Sequence, residues 1–70
     1  MEHRPAGELE MARRHVAEAE ARIARQHRII DRLRRCGAST ALAEQLLASM
    51  VETIALMRAH RDMLEPGAGG

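Results

Sequence analysis

Apolar and small residues recur at alternating steps of three and four along two long stretches of the chain. The first series, in which Gln26 is the polar member, is Leu9, Ala12, Val16, Ala19, Ile23, Gln26, Ile30 and Leu33. The second series, with two polar members, is Ala43, Leu46, Met50, Thr53, Met57, His60 and Leu64. Such steps place side chains along one side of an α-helix, in the heptad pattern of helices that pack side by side. The sequence therefore predicts an all-α protein with two long helices, and we call each series the seam of its helix.

Proline and glycine indicate where the first helix begins and where the second ends. Pro5 and Gly7 predict a disordered N-terminus over residues 1–7. The stretch after Gly7 has no glycine or proline until after Cys36, so we expect the first helix over residues 8–36. The proline and glycines at the C-terminus predict a flexible tail over residues 66–70.

A short glycine-containing link predicts how the two helices are arranged. Gly37 is placed to adopt the left-handed conformation that often ends a helix. Ser39 or Thr40 is then placed to cap a second helix over residues 40–65. A turn of only residues 37–39 between two long helices predicts an antiparallel helical hairpin of coiled-coil type.

The second helix has more apolar side chains than one partner helix can cover. Leu42, Leu56 and Met63 flank its seam on one side, and Leu47 and Ile54 flank it on the other. An exposed contiguous apolar strip usually marks an interaction site. The simplest occupant is a second copy, which predicts a homodimeric four-helix bundle. The predicted interface residues are Ile23, Ile30, Leu42, Leu46, Leu47, Met50, Ile54, Leu56, Met57 and Leu64, and Ile54→Asp is expected to dissociate the dimer.

Two polar residues interrupt the middle of the first seam. Gln26 and His27 lie across from Thr53 in the expected hairpin, and the three are predicted to form a polar layer inside the assembly. A buried polar layer lowers stability but fixes register and oligomeric state. The alternative is that His27 reaches solvent and only Gln26 is partly buried. A ligand-binding or catalytic role for the pair is the third interpretation.

The composition argues against an enzyme and against a ligand pocket. The 70 residues include no Phe, Tyr or Trp, which usually line such pockets. We find no nucleophile with an oriented base and no glycine-rich phosphate loop, so we expect no catalytic residues and no cofactor. His15 and His60 come close in the hairpin, but structural zinc generally takes four ligands, so no metal site is predicted. The single cysteine, Cys36, excludes an intramolecular disulfide and is interpreted as an unreactive small apolar residue.

A stripe of arginines on the first helix supports an alternative function. The eleven basic residues are all arginine, and the net charge is only +1. The stripe consists of Arg22, Arg25, Arg28, Arg32 and Arg35, and it is suited to binding the phosphates of a nucleic acid. The competing interpretation is a solvated face with intrahelical pairs, namely Glu10–Arg14, Glu18–Arg22 and Asp31–Arg35.

Two features of the sequence, its polar N-terminal segment and the charges within its most apolar run, predict the cellular location. The N-terminal segment has no apolar core typical of a signal peptide. The most apolar run is interrupted by Glu44, Gln45 and Glu52, which argues against a membrane span. We therefore expect a cytoplasmic protein, and the exclusive use of arginine is typical of a GC-rich bacterial genome.

Several sequence segments resemble a group of short hypothetical proteins of alphaproteobacteria. The similar segments are "RHVAEAEARIARQ", the "G-x-x-T" turn beginning at Gly37, and an "LL…M" helix ending near "MRAHRDML", which together span Arg14 to Leu64. The resemblance implies a helical hairpin from a bacterium and has no assigned activity to carry over. The expected architecture is also similar to that of the plasmid repressor-of-primer proteins, which are dimers of hairpins, although a shared fold implies no shared function.

The leading functional prediction from the sequence is therefore a non-enzymatic module for self-association or for binding an unidentified protein. Such a module would act as a small adaptor or regulator, and an inhibitor or antitoxin-like protein would use the same surface. The alternative prediction is a small nucleic-acid-binding regulator that uses the arginine stripe.

Overall fold

The protein is a hairpin of two long helices. The computed structural model describes residues 5–66, with side chains from residue 7 onward. Helix α1 spans Pro5–Arg35 and helix α2 spans Ala41–Leu64, and the described residues include no β-strand. The two helices pack against each other along their length. The molecule is 53 Å long and 14 Å thick, so it is a single layer little thicker than one helix with its side chains.

Helix α1 begins three residues earlier than the sequence predicted. Pro5 is the first helical residue, a position that proline tolerates because the first N–H groups of a helix have no helical acceptor. Gly7 also lies within the helix, so the prediction of disorder is wrong for residues 5–7. Residues 1–4 and 67–70, for which disorder and a flexible tail were predicted, lie outside the described residues.

The end of α1 has the geometry predicted for Gly37. This residue has φ +74°, a conformation that glycine adopts without the steric penalty of a Cβ atom. The Gly37 N–H donates to the Arg34 carbonyl at 3.0 Å, and the Ala38 N–H donates to the Leu33 carbonyl at 2.9 Å. These two bonds form a Schellman motif. They satisfy carbonyls at the helix end and direct the chain back towards α2.

Helix α2 begins with a different set of bonds from the predicted side-chain cap. Thr40 occupies the N-cap position, but its side chain does not accept a bond from the first turn. Its hydroxyl instead donates to Glu44 Oε2 at 2.8 Å. The Ser39 hydroxyl accepts the Ala41 N–H at 3.3 Å. Of the two candidates, Ser39 is therefore the one that binds a free N–H group at this helix start.

The seam predicted for α1 is confirmed. All eight of its members are buried or half-buried, and every other described side chain of α1 is exposed. The buried members are Ala12, Val16, Gln26 and Ile30. The heptad pattern alone therefore identified the packing side of this helix.

The seam predicted for α2 is only half right. Ala43, Met50, Met57 and Leu64 are half-buried, but Leu46, Thr53 and His60 are exposed; the residues that pack in their place are Leu47, Ile54 and Arg61. Relative to the prediction, α2 is thus rotated about its axis so that the flank with Leu47 and Ile54 faces α1. Burying isoleucine removes more apolar area from water than burying threonine, and it leaves no hydroxyl without a partner. The arginine contributes its aliphatic stem while its charged end stays at the surface.

The core between the helices is small. Ile54, at 2% exposure, is the most buried of the described side chains. Each helix has only one neighbour, so two-thirds or so of its circumference has nothing to pack against. A chain of this size therefore holds much apolar surface that the hairpin itself does not cover.

Candidate functional site

One side of the hairpin is held by ion pairs between the helices, and we call it the closed side. The pairs occur near the open end, in the middle and near the turn of the hairpin. They are Arg13–Glu65 at 3.2 Å, Glu20–Arg58 at 3.1 Å and Arg34–Glu44 at 3.2 Å. The six side chains are 34–63% exposed, so each pair contributes about 0–1 kcal/mol. Together they match charges only when the helices are antiparallel and in this register.

The sequence contained a signal for these pairs that was missed. On α1 the paired residues, together with His27, follow one another at intervals of seven, and on α2 the paired residues, together with Val51, do the same. Among the charged residues, the sign of the charge alternates along each helix, and residues that face each other on the two helices have opposite signs. Matching charge order at heptad spacing on two antiparallel helices is the pattern that predicts such pairs.

The other side of the hairpin has no such pairs among the described residues. Here Ala19 and Arg22 of α1 line a shallow cleft with Leu46, Ser49 and Thr53 of α2. Nearer the open end, Met11 and His15 line a second cleft with His60. Leu46 is 53% exposed and Met11 is 55% exposed. The side therefore presents apolar groups to solvent where the closed side presents paired charges.

The α2 residues of both clefts belong to a further series with alternating steps of three and four, distinct from the predicted seam. We call the surface that this series forms, with the adjoining residues of α1, the open face. On α2 it consists of Leu42, Leu46, Ser49, Thr53, Leu56, His60 and Met63. Three of its members are the most exposed large apolar side chains described: Leu42 is 81%, Leu56 is 73% and Met63 is 80% exposed. On α1 the adjoining residues at heptad spacing are His15, Arg22 and Ile29. The face thus extends along most of the hairpin.

The predicted interface residues divide between this face and the interior. Leu42, Leu46 and Leu56 lie on the open face. The other seven are packed between α1 and α2: Ile23, Ile30, Leu47, Met50, Ile54, Met57 and Leu64. Ile54→Asp therefore disrupts the hairpin itself, and it is not a selective probe of a dimer. Met11 was missed because it lies one residue before the seam.

The predicted polar layer is not formed within the hairpin. Gln26 is buried, and its Nε2 donates to the Ala43 carbonyl at 2.9 Å. His27 is exposed and lines a cleft on the closed side with Leu47 and Glu44. Thr53 is exposed on the open face. The histidine and the threonine therefore lie on opposite sides, and of the three residues only Gln26 makes a polar bond between the two helices.

The histidines and the cysteine have simple surroundings. His15 and His60 line the same cleft, as the hairpin predicted, with Glu8 beside them. Within residues 5–66 no group of three or more His, Cys, Asp or Glu side chains is placed to hold a metal ion. Cys36 is exposed at the end of α1.

The arginine stripe lies largely on the outer surface of α1. All five members are exposed, and Arg22 also lines the cleft of the open face. None of the three predicted intrahelical pairs is formed in the described part of the chain. Asp31 instead approaches Arg34, at 3.9 Å. Arg25, Arg28, Arg32 and Arg35 thus have no carboxylate partner among the described residues.

No protein-family model, curated protein or solved structure matches this chain. The resemblance to short alphaproteobacterial proteins accordingly stays a prediction. Neither helix, over the residues described, combines the length and the apolar character needed to cross a membrane.

Proposed function

We propose that this chain is a non-enzymatic protein-interaction module that self-associates through its open face into a homodimeric four-helix bundle. The observation that carries the proposal is the row of exposed apolar side chains on α2, at Leu42, Leu46, Leu56 and Met63. Their helical spacing places them in one strip along α2, which Ser49 and Thr53 interrupt near its middle. A strip of this kind on a soluble protein usually binds another protein.

The area of the strip suits a stable dimer. The six large apolar residues exposed on or beside it, from both helices, together expose on the order of 800 Å², which is what each partner contributes to an interface of standard size. A second hairpin laid on this side would double the thickness of the molecule. The half-buried seam residues would then gain a second layer of neighbours, as in a four-helix bundle.

The rest of α2 also favours being covered. This helix has five charged residues in 24, whereas α1 has thirteen in 31. Its outer surface beside the open face consists mainly of small or neutral residues, namely Gln45, Ala48, Ala55 and Ala59. A helix with little charge on any side is typical of a helix surrounded by others. Helix α2 is therefore the centre of the proposed interface, and α1 supplies its charged exterior.

The proposed biological role follows from a dimer whose outer faces remain free. Such a dimer acts in the bacterial cytoplasm as a small adaptor or regulator of another protein. It needs no cofactor, because recognition uses only side-chain contacts.

Two substitutions on opposite sides of α2 test the proposal. Leu46 is 53% exposed on the open face, and Val51 is 48% exposed on the closed side. Leu46→Lys and Val51→Lys therefore introduce the same charge at equally exposed sites. Sedimentation equilibrium, with interference detection because the chain has no aromatic residue, should give twice the 7.8 kDa chain mass for the unaltered protein and for Val51→Lys. Leu46→Lys should give the monomer mass.

Circular dichroism shows whether both variants remain helical, so that a loss of mass reports on association alone. A monomer for the unaltered protein at all concentrations up to about 100 μM, well above a typical dissociation constant for such an interface, would overturn the proposal. So would dissociation by Val51→Lys with an unaffected Leu46→Lys.

A second candidate function, nucleic-acid binding, is favoured by the unpaired state of the stripe. Four exposed arginines on one helix, without carboxylate partners among residues 7–66, leave their charge free for phosphates. The absence of aromatic residues excludes base stacking on side chains, so binding would be electrostatic and independent of sequence.

Matched double variants test this candidate. Arg28→Gln with Arg32→Gln removes two charges from the stripe, and Arg13→Gln with Arg58→Gln removes two charges that are held in ion pairs. Binding to RNA or DNA at about 50 mM salt should weaken more in the stripe variant, and it should fall steeply as salt increases. Absence of binding at low salt would exclude the candidate.

A further inference from the structure

The charges of the hairpin are unequally distributed along its length. The half nearer the turn, residues 22–51, has six arginines and only two acidic residues, Asp31 and Glu44, for a net charge of +4. The half nearer the open end, residues 5–21 with 52–66, has four arginines and seven acidic residues, for a net charge of −3. A molecule 53 Å long with a net charge of only +1 thus has two oppositely charged halves.

This asymmetry distinguishes between the two ways in which two hairpins can pair. If both turns lie at the same end of the dimer, like-charged halves lie side by side. If the turns lie at opposite ends, each positive half lies beside a negative half. Bundle partners are separated by 8–10 Å between helix axes, which is about one Debye length in physiological salt. The difference in Coulomb energy is therefore only partly screened, and it favours turns at opposite ends.

The order of residues on the open face is also self-complementary in that arrangement. A twofold contact requires that, when one residue contacts another on the partner, the reverse contact also occurs. With α2 antiparallel to its copy and the twofold axis level with residue 51, Leu46 is opposite Leu56 of the partner subunit. Ser49 is then opposite Thr53 of the partner subunit. One Leu46–Leu56 pair thus lies on each side of two central pairs of hydroxyl groups, and Leu42 is opposite His60 of the partner subunit.

We propose, on the basis of the function proposed above, that the second copy docks with its α2 antiparallel to α2 of the first, so that the two turns lie at opposite ends of the bundle. The open face then buries its leucines in two symmetrical clusters. The Ser49 and Thr53 hydroxyls hydrogen-bond across the twofold axis and fix the register of the dimer. The positive turn half of each copy lies along the negative open half of the other.

The single cysteine provides a direct test in the intact chain. Cys36 is exposed at the turn and lies level with the start of α2, ten residues from the proposed axis. Two Cys36 residues are therefore separated by about 30 Å or more in the antiparallel dimer, at 1.5 Å per residue. With both turns at one end they would be within about 20 Å, because neighbouring helix axes are 8–10 Å apart. Pulsed dipolar EPR between nitroxide labels on Cys36 measures this separation.

A mixed sample gives the complementary distance. Ala59 lies towards the opposite end of α2 and is exposed on its outer surface, outside the open face, so Cys36→Ser combined with Ala59→Cys moves the label there without altering the proposed interface. When this variant is mixed with the labelled natural chain, the antiparallel dimer predicts a short distance between the two different labels. In the antiparallel dimer the Cys36–Cys36 distance is long and the mixed distance is short. When both turns lie at one end, the Cys36–Cys36 distance is short and the mixed distance is long.

Each outcome has a separate meaning. A long Cys36–Cys36 distance with a short mixed distance supports the antiparallel dimer. A short Cys36–Cys36 distance overturns it while leaving self-association intact. The absence of any dipolar signal between chains, together with a monomer mass, shows that the proposed function itself has failed.

Discussion

The two sides of the hairpin are built from the same two helices but present different chemistry to solvent. On the closed side, three ion pairs join α1 to α2, so every described charge at those positions is satisfied within one chain. On the open face, the corresponding positions hold leucines, methionine and small hydroxyl residues that stay exposed within the described part of the chain. The charges of the closed side are therefore paired within the hairpin, whereas the apolar side chains of the open face are exposed to solvent.

The difference shows which physical factors determine the side of α2 that packs on α1. Leucine occurs both in the predicted seam and on the flank beside it, but the flank with Leu47 and Ile54 packs on α1, whereas the predicted seam members Leu46 and Thr53 remain outside. Isoleucine gains more from complete burial than threonine does. Turning this flank inward also brings Glu44 and Arg58 next to their partners. Apolar burial and charge pairing thus favour the same rotation of the helix.

The largest effect should come from placing a charge on the inward flank and comparing it with the same charge on the open face. Ile54→Asp puts an unpaired carboxylate at a site that is 2% exposed. The cost of burying this charge exceeds what a small core contributes to stability. We expect most of the helical circular dichroism signal to be lost. Leu56→Asp, on the open face, should retain it. Equal helicity in the two variants would contradict the assignment of sides.

Gln26 tests whether the buried polar bond is needed for stability. Because Ala43 lies within α2, its carbonyl keeps a helical partner after the glutamine is replaced. Gln26→Ala should lower the free energy of unfolding by about 1–2 kcal/mol through lost packing and one lost hydrogen bond. Gln26→Leu should change it by less than about 1 kcal/mol, because apolar burial offsets the lost bond. Urea denaturation followed by circular dichroism measures both; a larger loss for the leucine variant would show that the bond itself is essential.

The turn should affect both sides of the hairpin equally. Gly37→Ala meets no neighbour within 4 Å, so its effect comes only from the backbone at φ +74°, and we expect destabilisation by about 1–2 kcal/mol. Gly7→Ala is the matched control, because it also meets open space but lies within a helix. That change should stabilise the protein by about 0.5–1 kcal/mol. Thermal unfolding of the two variants should therefore shift in opposite directions, and a shift in the same direction would refute the left-handed turn.

The smallest effect should come from the closed side. A double-mutant cycle on Glu20 and Arg58, each replaced by alanine, should give a coupling energy of about 0.2–1 kcal/mol, because both side chains are about half exposed. The coupling should decrease in 1 M salt, where the Debye length is only about 3 Å. A coupling well above this range would mean that the closed side, and not the apolar seam, determines the stability of the hairpin.

The sequence predicted the fold and half of the packing geometry. Helix α1 has one apolar side and a charged remainder, so its seam had a single solution, and the turn was marked by Gly37. Helix α2 has apolar residues on both flanks, so periodicity alone allowed two rotations, and Leu46, Thr53 and His60 were assigned to the wrong side. The choice depends on side-chain volume and on charges from the other helix, which a pattern read along one helix does not contain. The start at Pro5 was missed because proline was read as a helix breaker when it is also suited to a first turn.

The most direct test of the central claim, that a second copy covers the open face, is an isotope-filtered NOE experiment on a mixture of labelled and unlabelled chains. Only contacts between copies give a signal in such a sample. We predict intermolecular NOEs between the methyl groups of Leu46 and those of Leu56, and none from the methyl groups of Val51 on the closed side. Intermolecular NOEs from Val51 with none from the open-face leucines, or no intermolecular NOE at all in a sample concentrated to the millimolar range, would contradict the account.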